Sequence, residues 1–290
     1  MSSKKTVLII GCSAGGIGHA LALEFKSKGY RVFATARNPK SMEDLSEKGI
    51  ETLALDVTKQ ESIKAAKEKV AELTGGSLNI LGNNAGVAYT IPATDINIDE
   101  AKKLFDVNLF GTMAMVEEFV HLLLASQDGR IVNVGSIAGM MTLPFGSAYS
   151  ASKAALQAYG DALRMELAPF GIQVTTIATG GVKTNIVNSV ITNTATNLPP
   201  ASLYQPIADL YHKRLVSQQN ADFMSAEDFA CSVVKDVIRP KQEIWAGSFS
   251  RFAWFFCTFL PRWVFTSLAR PDTALLAELA NKVKEQKKTT

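Results

Sequence analysis

A tyrosine and a lysine four residues apart, Tyr149 and Lys153, are the residues of this sequence best suited to moving a proton. In a helix this spacing places both side chains on one face. Ser136 lies thirteen residues before Tyr149, directly after the apolar run 130–135, which has the character of a buried strand. A hydroxyl at a strand end beside a helical Tyr/Lys pair predicts a proton-transfer site. Because Tyr-x3-Lys is also typical of an ordinary amphipathic helix, the neighbouring elements must decide between the two.

Composition narrows the class of protein. The chain has 290 residues, is 47% hydrophobic and carries a net charge of +3. This is enough for one large core and gives no sign of nucleic-acid binding. Its cysteines, Cys12, Cys231 and Cys257, are too few and too scattered for a disulfide framework or a metal site, which indicates a reducing compartment. There is no run of about 20 uncharged apolar residues, so we expect no conventional membrane-spanning helix.

Short apolar runs alternate with amphipathic stretches along most of the chain. Strands are predicted at Val7–Ile10, Arg31–Ala36, Glu51–Leu55, Leu78–Leu81, Arg130–Gly135, Gln173–Ile177 and Glu243–Ala246. Helices are predicted at His19–Lys28, Met42–Lys48, Lys59–Leu73, Ile98–Ser126 with a bend near Asn108, Ser147–Ala168, Tyr204–Gln219 and Ala226–Arg239. The alternation predicts an α/β fold, a Rossmann-type doubly wound parallel sheet. Residues 1–248 would form this single domain, followed by a C-terminal aromatic helical extension at 249–290.

A glycine-rich loop, Gly11–Gly18, lies between the first strand and the first helix, where it predicts phosphate binding at the helix N-terminus. A tight turn is the simpler alternative for the loop alone. Asp56 follows the third strand, where it would meet an adenine, and 84–86 follow the fourth strand. Arg37 follows the second strand and has no acidic neighbour, and at that position an arginine accommodates a 2′-phosphate. The sequence therefore favours NADPH over NADH, an exposed surface arginine being the alternative.

These motifs, in this order, resemble the short-chain dehydrogenase/reductase family over about residues 5 to 185. The chain departs from the family's pattern at Ile10, where threonine is usual, in a loop one residue longer, and at Thr179, where proline is usual. The resemblance implies the catalytic residues Ser136, Tyr149, Lys153 and Asn108. It implies that the cofactor contacts Gly11, Ser13, Gly16, Ile17, Gly18, Arg37, Asp56, Val57, Asn84, Ala85, Gly86, Tyr149, Lys153, Val182 and Thr184.

Each catalytic residue has an expected role. Tyr149 would protonate the alkoxide formed by hydride transfer to a ketone. The ammonium of Lys153 would lower the pKa of Tyr149 and hold the nicotinamide ribose. Ser136 would bond the carbonyl oxygen, and Asn108 would hold a water that connects Lys153 to solvent. The redox chemistry belongs to the cofactor, and no metal is expected.

Three details, the extended glycine loop, the segment Thr179–Val182 and the aromatic C-terminus, are similar to the fungal 1-acyldihydroxyacetone-phosphate reductase group of this family. That similarity implies NADPH-dependent reduction of 1-acylglycerone 3-phosphate to 1-acylglycerol 3-phosphate, at the cytosolic face of the endoplasmic reticulum and at lipid droplets. Another lipophilic ketone, such as a steroid, a retinoid or a polyketide, and a cytoplasmic location remain open. A substrate lid is expected at about 185–225. It and the residues beside it contain the candidate phosphate partners Lys183, His212, Lys213 and Arg214, and an ordinary solvated basic residue is the more common explanation for each of them singly.

The aromatic segment Phe252–Leu260 contains four phenylalanines and a tryptophan within nine residues. It is too short to span a bilayer. With the flanking Arg251, Arg262 and Arg270, it indicates a helix lying in a membrane interface. A dimer contact or a cap over the active site is the alternative, and the family resemblance makes a homodimer possible.

A different enzyme class also fits one motif. Residues 11–15 match Gly-x-Ser-x-Gly, the nucleophile elbow of lipases, on a strand-turn-helix. A serine acyl hydrolase would need a histidine at Ser13. Of His19, His121 and His212, only His212 has the right chain order and a flexible location.

Overall fold

The computed structural model describes residues 4–186, 198–219, 221–239, 241–268 and 274–289. Within these ranges seven parallel strands form one sheet, in the order β3-β2-β1-β4-β5-β6-β7. The strands are β1 Thr6–Ile10, β2 Arg31–Ala36, β3 Glu51–Ala54, β4 Ile80–Asn83, β5 Arg130–Val134, β6 Gln173–Thr179 and β7 Glu243–Ala246. The prediction of a doubly wound parallel sheet is confirmed. Because the strand order reverses between β1 and β4, a crevice opens at their carboxyl ends.

Helices cover both faces of this sheet. They are α1 Ile17–Ser27, α2 Glu43–Glu47, α3 Gln60–Thr74, α4 Ile98–Phe105, α5 Gly111–Ala125, α6 Ser147–Leu167, α7 Ala208–Gln219, α8 Ala226–Ile238, α9 Ser250–Phe259, α10 Arg262–Leu268 and α11 Ala274–Thr289. On one face α1 and α8 pack through Phe25 and Phe229. On the other, α3, α5 and α6 pack through Ile63, Phe119 and Leu163. The two cores hold the sheet rigid from both sides, which fixes the strand ends that form the crevice.

The predicted irregularity at Asn108 is a π-helical turn, Asp106–Phe110, between α4 and α5. In this turn the buried Asn108 side chain contacts Val87 and Ser152. Among the described residues, the continuous segment Ile98–Ala125 is long and apolar enough to cross a membrane by length and composition. Half of its most apolar window is buried inside the protein, so we assign it as a core helix.

The C-terminal extension leaves the sheet after β7 and returns to the body of the protein. Leu276 of α11 packs on a third apolar cluster, formed around Phe145 and Tyr211. Lys282 Nζ donates to the carbonyl of Pro206 at 2.7 Å. The last helix therefore lies against the region of the predicted lid. Residues 187–197 of that lid lie outside the described residues, and α7 belongs to its described part.

Candidate active site

A cleft of about 430 Å³ opens at the carboxyl ends of the strands. Its walls come from the glycine loop, the ends of β2, β3, β4 and β5, helix α6 and the segment after β6. The predicted site residues that line it are Gly11, Ser13, Gly16, Ile17, Arg37, Asp56, Val57, Asn84, Ala85, Gly86, Ser136, Tyr149, Lys153, Val182 and Thr184. Residues from seven separate stretches of the chain thus meet around one cavity, as the order of the motifs predicts.

Two predicted site residues lie behind the cleft wall. Gly18 is buried, and a Cβ there would come within 2.4 Å of both the Gly11 carbonyl and Asn84 Nδ2. Its lack of a side chain lets α1 pack on the turn, whereas the prediction had placed it in contact with the cofactor. Asn108 Oδ1 accepts from the Val87 amide at 2.9 Å, and its Nδ2 donates to Ser152 Oγ at 3.0 Å. Asn108 therefore joins the loop after β4 to α6, and its water-holding role stays a prediction.

The glycine loop is shaped to leave amide groups open. Gly11 has φ +80°, and a side chain there would meet the backbone of Ala85 at 3.0 Å. The side-chain Nδ2 of Asn84 donates to the carbonyls of Ile10 and Gly11, both at 2.9 Å. Helix α1 begins after Gly16 with no side-chain cap and no acidic residue in its first turn. Uncapped amides and an unopposed helix dipole suit an anionic pyrophosphate at this edge of the cleft.

The far end of the cleft carries an exposed arginine and an ionised carboxylate. Arg37 follows β2 directly, and Asp56 lies on the neighbouring loop. Burial raises the pKa of Asp56, but hydrogen bonds from Thr58 and the charge of Arg37 outweigh this and hold it below its ordinary value. The carboxylate therefore accepts hydrogen bonds at neutral pH, while the arginine is the cation available to a phosphate.

The geometry does not support the hydrolase alternative. Ser13 Oγ is hydrogen-bonded to Ser41 Oγ at 3.0 Å, and Ser41 donates onward to the carbonyl of Asn38. His19 Nε2 lies 2.6 Å from Asp44 Oδ2, its partner on α2. Among the described residues, the hydroxyl of Ser13 is therefore hydrogen-bonded to a serine, whereas the nucleophile of a lipase is hydrogen-bonded to a histidine.

The predicted catalytic residues Ser136, Tyr149 and Lys153 lie where a loop packs closely on a helix. Ser136 caps the turn after β5, accepting from the Ala138 amide at 3.1 Å. In the same turn Gly139 lies against α6, where a Cβ would be 2.8 Å from the carbonyl carbon of Lys153. The contact places the Ser136 hydroxyl near enough to Tyr149 to lower the pKa of the phenol. Sequence reasoning did not identify Gly139; its position three residues after the catalytic serine is the available signal.

The pKa of Tyr149 differs from the prediction made from its spacing to Lys153. Burial raises the pKa of the half-buried Tyr149, and the hydrogen bond with Ser136 offsets this only in part. Burial lowers the pKa of Lys153 to about 8. The lysine Nζ donates to the Val134 carbonyl at 3.1 Å and lies 6.0 Å from the centre of the Tyr149 ring. The prediction that Lys153 lowers the pKa of Tyr149 is therefore wrong for this structure, in which desolvation is the larger effect. Tyr149 is a neutral phenol, ready to donate its proton.

Some cleft residues were not predicted. Thr179 and Gly180 continue β6 into the wall, and Asn185 closes over the glycine loop. Asn185 Nδ2 donates to the Ala14 carbonyl at 3.0 Å and would lie 2.6 Å from a Cβ on Gly15. The only sequence signal for this contact is its position directly after Thr184.

Comparisons with known proteins agree with this arrangement. A family model described as short chain dehydrogenase matches residues 5–195. The NADPH-dependent 1-acyldihydroxyacetone phosphate reductase of Schizosaccharomyces pombe is 42% identical over 266 residues, covering 86% of this chain and 88% of that protein. The short-chain dehydrogenase RED1 of Pyricularia oryzae is 40% identical over 269 residues, covering 91% and 94%.

A solved structure shares the fold over nearly the whole chain. The crystal structure of a short-chain dehydrogenase from Streptomyces avermitilis superposes with a TM-score of 0.73 at 24% identity, covering 99% of this chain and all of that one (100%). Together with the family match and the two fungal relatives, the cleft and its residues lead to one conclusion: the chain belongs to the short-chain dehydrogenase family and is an oxidoreductase.

Proposed function

We propose that this protein is an NADPH-dependent carbonyl reductase that converts 1-acylglycerone 3-phosphate to 1-acylglycerol 3-phosphate. The observation that supports NADPH is Arg37, an exposed cation directly after β2 that lines the cleft and has no acidic residue next to it in the sequence. A guanidinium there pairs with a 2′-phosphate, whereas an acid would select the free hydroxyl. The uncapped start of α1 and the open glycine loop fit the pyrophosphate.

The reaction needs one hydride and one proton at a ketone. Bound NADPH supplies the hydride, which is its ordinary chemistry. The Ser136 hydroxyl donates to the ketone oxygen and orients it, and Tyr149 gives its proton to the same oxygen as negative charge develops there. Lys153 is charged at pH 7 because its pKa of about 8 lies above that pH, and its role is to hold the nicotinamide ribose. Asn108 fixes the position of α6 through Ser152.

The substrate class rests on the named relative and on the residues around the lid. Lys183 is already in an ion pair with Asp222 at 2.8 Å, and His212 and Lys213 are exposed. The Arg214 guanidinium lies 5.7 Å from the centre of the Phe145 ring, four residues before Tyr149 in the chain. Arg214 thus contacts the loop that leads into α6, which favours it among the four candidate cations as the phosphate partner.

The C-terminal extension supports a membrane-surface location. We define its aromatic patch as the exposed residues Phe249, Phe252, Trp254, Phe255, Phe259 and Trp263, which are 44–68% exposed. The chain carries three arginines and no acidic residue between Glu243 and Asp272. Aromatic rings with flanking cations suit an anionic lipid interface. We therefore propose peripheral association with the cytosolic face of the endoplasmic reticulum and with lipid droplets, a homodimer through the same patch being the competing arrangement.

An NADPH-oxidation screen tests the function. Purified protein would be assayed with an acylglycerone phosphate, a steroid ketone and a fatty aldehyde, each with NADPH and with NADH. We expect the highest kcat/KM for the acylglycerone phosphate and at least about a tenfold preference for NADPH, because the 2′-phosphate adds charge-assisted hydrogen bonds. Faster turnover of the steroid would identify the other ketone class, and a preference for NADH would exclude the role given to Arg37.

A further inference from the structure

An exposed phenylalanine occupies a backbone conformation that favours glycine. Phe249 has φ +65° and is 68% exposed. Two hydrogen bonds hold its turn in place: the Gly181 amide donates to the Ser248 carbonyl at 2.8 Å, and the Ser248 amide donates to the Gly181 carbonyl at 2.9 Å. The turn that begins α9 is thereby attached to the segment that follows β6.

That segment is the wall of the cleft. Gly180 and Val182 both line the cavity, on either side of Gly181. A Cβ on Gly181 would lie 2.3 Å from the ring of Phe223, so this ring rests directly on the backbone of the wall. Phe223 and Phe249 then meet edge to face, with ring centres 6.4 Å apart. Two aromatic rings thus connect the cleft wall to the aromatic patch.

The conformation of Phe249 is costly and is not offset by burial. A bulky residue in the left-handed region is strained, and such strain is found where a site requires it. Glycine would adopt the same φ without penalty. Because about two thirds of Phe249 remains exposed (68%), packing inside the protein gives little in return. The position of the ring, next to the cleft wall and open to the outside, suits contact with an apolar ligand.

We propose that Phe223 and Phe249 form the acyl-chain contact of the substrate at the mouth of the cleft. The keto group would lie at Tyr149, and the chain would cross the two rings towards the aromatic patch and the lipid surface. The inference rests on the proposed function, since it requires a substrate with a long acyl chain. It adds the residues that select that chain, and it gives the aromatic patch an orientation, with the cleft opening beside the membrane.

The variant Phe249→Gly provides the test because it removes the ring while relaxing the backbone. KM and kcat would be measured with NADPH and a series of acyl ketone phosphates, from short soluble chains to long ones kept below their aggregation concentration. We expect KM for the long chains to rise about tenfold, the loss of roughly half the burial of a phenyl ring, with kcat and the short-chain KM unchanged. Phe223→Leu should raise the long-chain KM less, since leucine retains part of the apolar surface.

Phe252→Ala is the matched control. It removes another ring of α9, which is 52% exposed and packs on Phe256 with ring centres 4.3 Å apart. It should leave the KM for every chain length unchanged. Equal long-chain KM values for wild type and Phe249→Gly would overturn the acyl contact alone. Failure of the wild type to reduce any acyl ketone would instead overturn the proposed function and the contact with it.

Discussion

The catalytic cleft and the aromatic patch are stabilised in opposite ways. In the cleft, Lys153 is only 5% exposed, and its charge is desolvated beside a backbone carbonyl. On α9, rings that most proteins bury are exposed and rest chiefly on one another. Phe252 and Phe256 have ring centres 4.3 Å apart, and Phe259 lies 5.5 Å from both Trp254 and Phe255.

The difference in burial between the two regions means that different contacts stabilise them. A buried cation costs free energy that other contacts of the fold must offset, so the cleft is completed by the chain's own residues. Exposed aromatic surface costs free energy in water, which supports the proposal that a lipid surface covers the patch. Variants can therefore separate the two regions, because a change in one should leave the property of the other intact.

The largest separation is expected from Tyr149→Phe. Loss of the proton donor should lower kcat by at least about a thousandfold, because the alkoxide then has no positioned acid. NADPH affinity, measured by fluorescence titration, should change by less than about twofold, since the ring that lines the cleft is retained. Binding to anionic vesicles should be unchanged. Turnover near the wild-type rate would remove Tyr149 from the mechanism.

The opposite separation is expected from the double variant Trp254→Ala/Phe255→Ala. Each ring would lose about 1 kcal/mol of interfacial burial, so affinity for anionic vesicles should fall about thirtyfold in a flotation assay. The kcat/KM for a short soluble ketone should stay at the wild-type value.

Met165→Ala/Phe170→Ala is the control pair for this experiment. These side chains are 72% and 63% exposed, but Met165 lies in the last turn of α6 and Phe170 just after that helix, outside the patch. Their removal should leave vesicle binding unchanged. An equal loss in both pairs would show that general hydrophobicity, and not the patch, drives the association.

The sequence was sufficient to predict those elements and residues that a local pattern or a chemical requirement restricts. Apolar runs located the seven strands, with small errors at their ends: β6 continues to Thr179, beyond the predicted Ile177. Most of the residues predicted to bind the cofactor or to catalyse the reaction line one cleft, because the predicted chemistry restricts the residue types at strand ends. Gly18 shows the limit of motif reading, since a glycine needed for helix packing and one needed for a ligand look the same in sequence.

Features that depend on long-range packing could not be predicted. The pKa direction at Tyr149 reverses the expectation because burial is a property of the folded chain. The left-handed turn at Phe249 depends on Gly181, and the position of α11 depends on contacts such as Lys282 with Pro206. Each joins residues that are tens of positions apart, with no local signature in the sequence.

The smallest effect is expected on the free energy of unfolding, from the variant Lys153→Met. In the cofactor-free protein the pKa of Lys153 is about 8, against an ordinary value of 10.5. Below pH 8 both folded and unfolded states carry the charge, and the folded state bears the full burial cost, about 3 kcal/mol. Methionine removes this cost but leaves the Val134 carbonyl unpaired, which costs about 1–2 kcal/mol. We therefore expect Lys153→Met to be about 1–2 kcal/mol more stable at pH 7, and inactive.

The pH dependence follows from the same shift. Between pH 8 and 10.5 the unfolded state binds more protons at Lys153, so wild-type stability should rise with pH and its deficit relative to the methionine variant should disappear. Urea denaturation of the cofactor-free proteins at pH 7 and pH 10 measures both values, with the exposed Lys213→Met as the control that should show no difference. A methionine variant less stable than wild type at pH 7 would mean that Lys153 stabilises the folded protein. The buried charge in the cleft would then not be a cost to stability, and the contrast with the aromatic patch would be wrong.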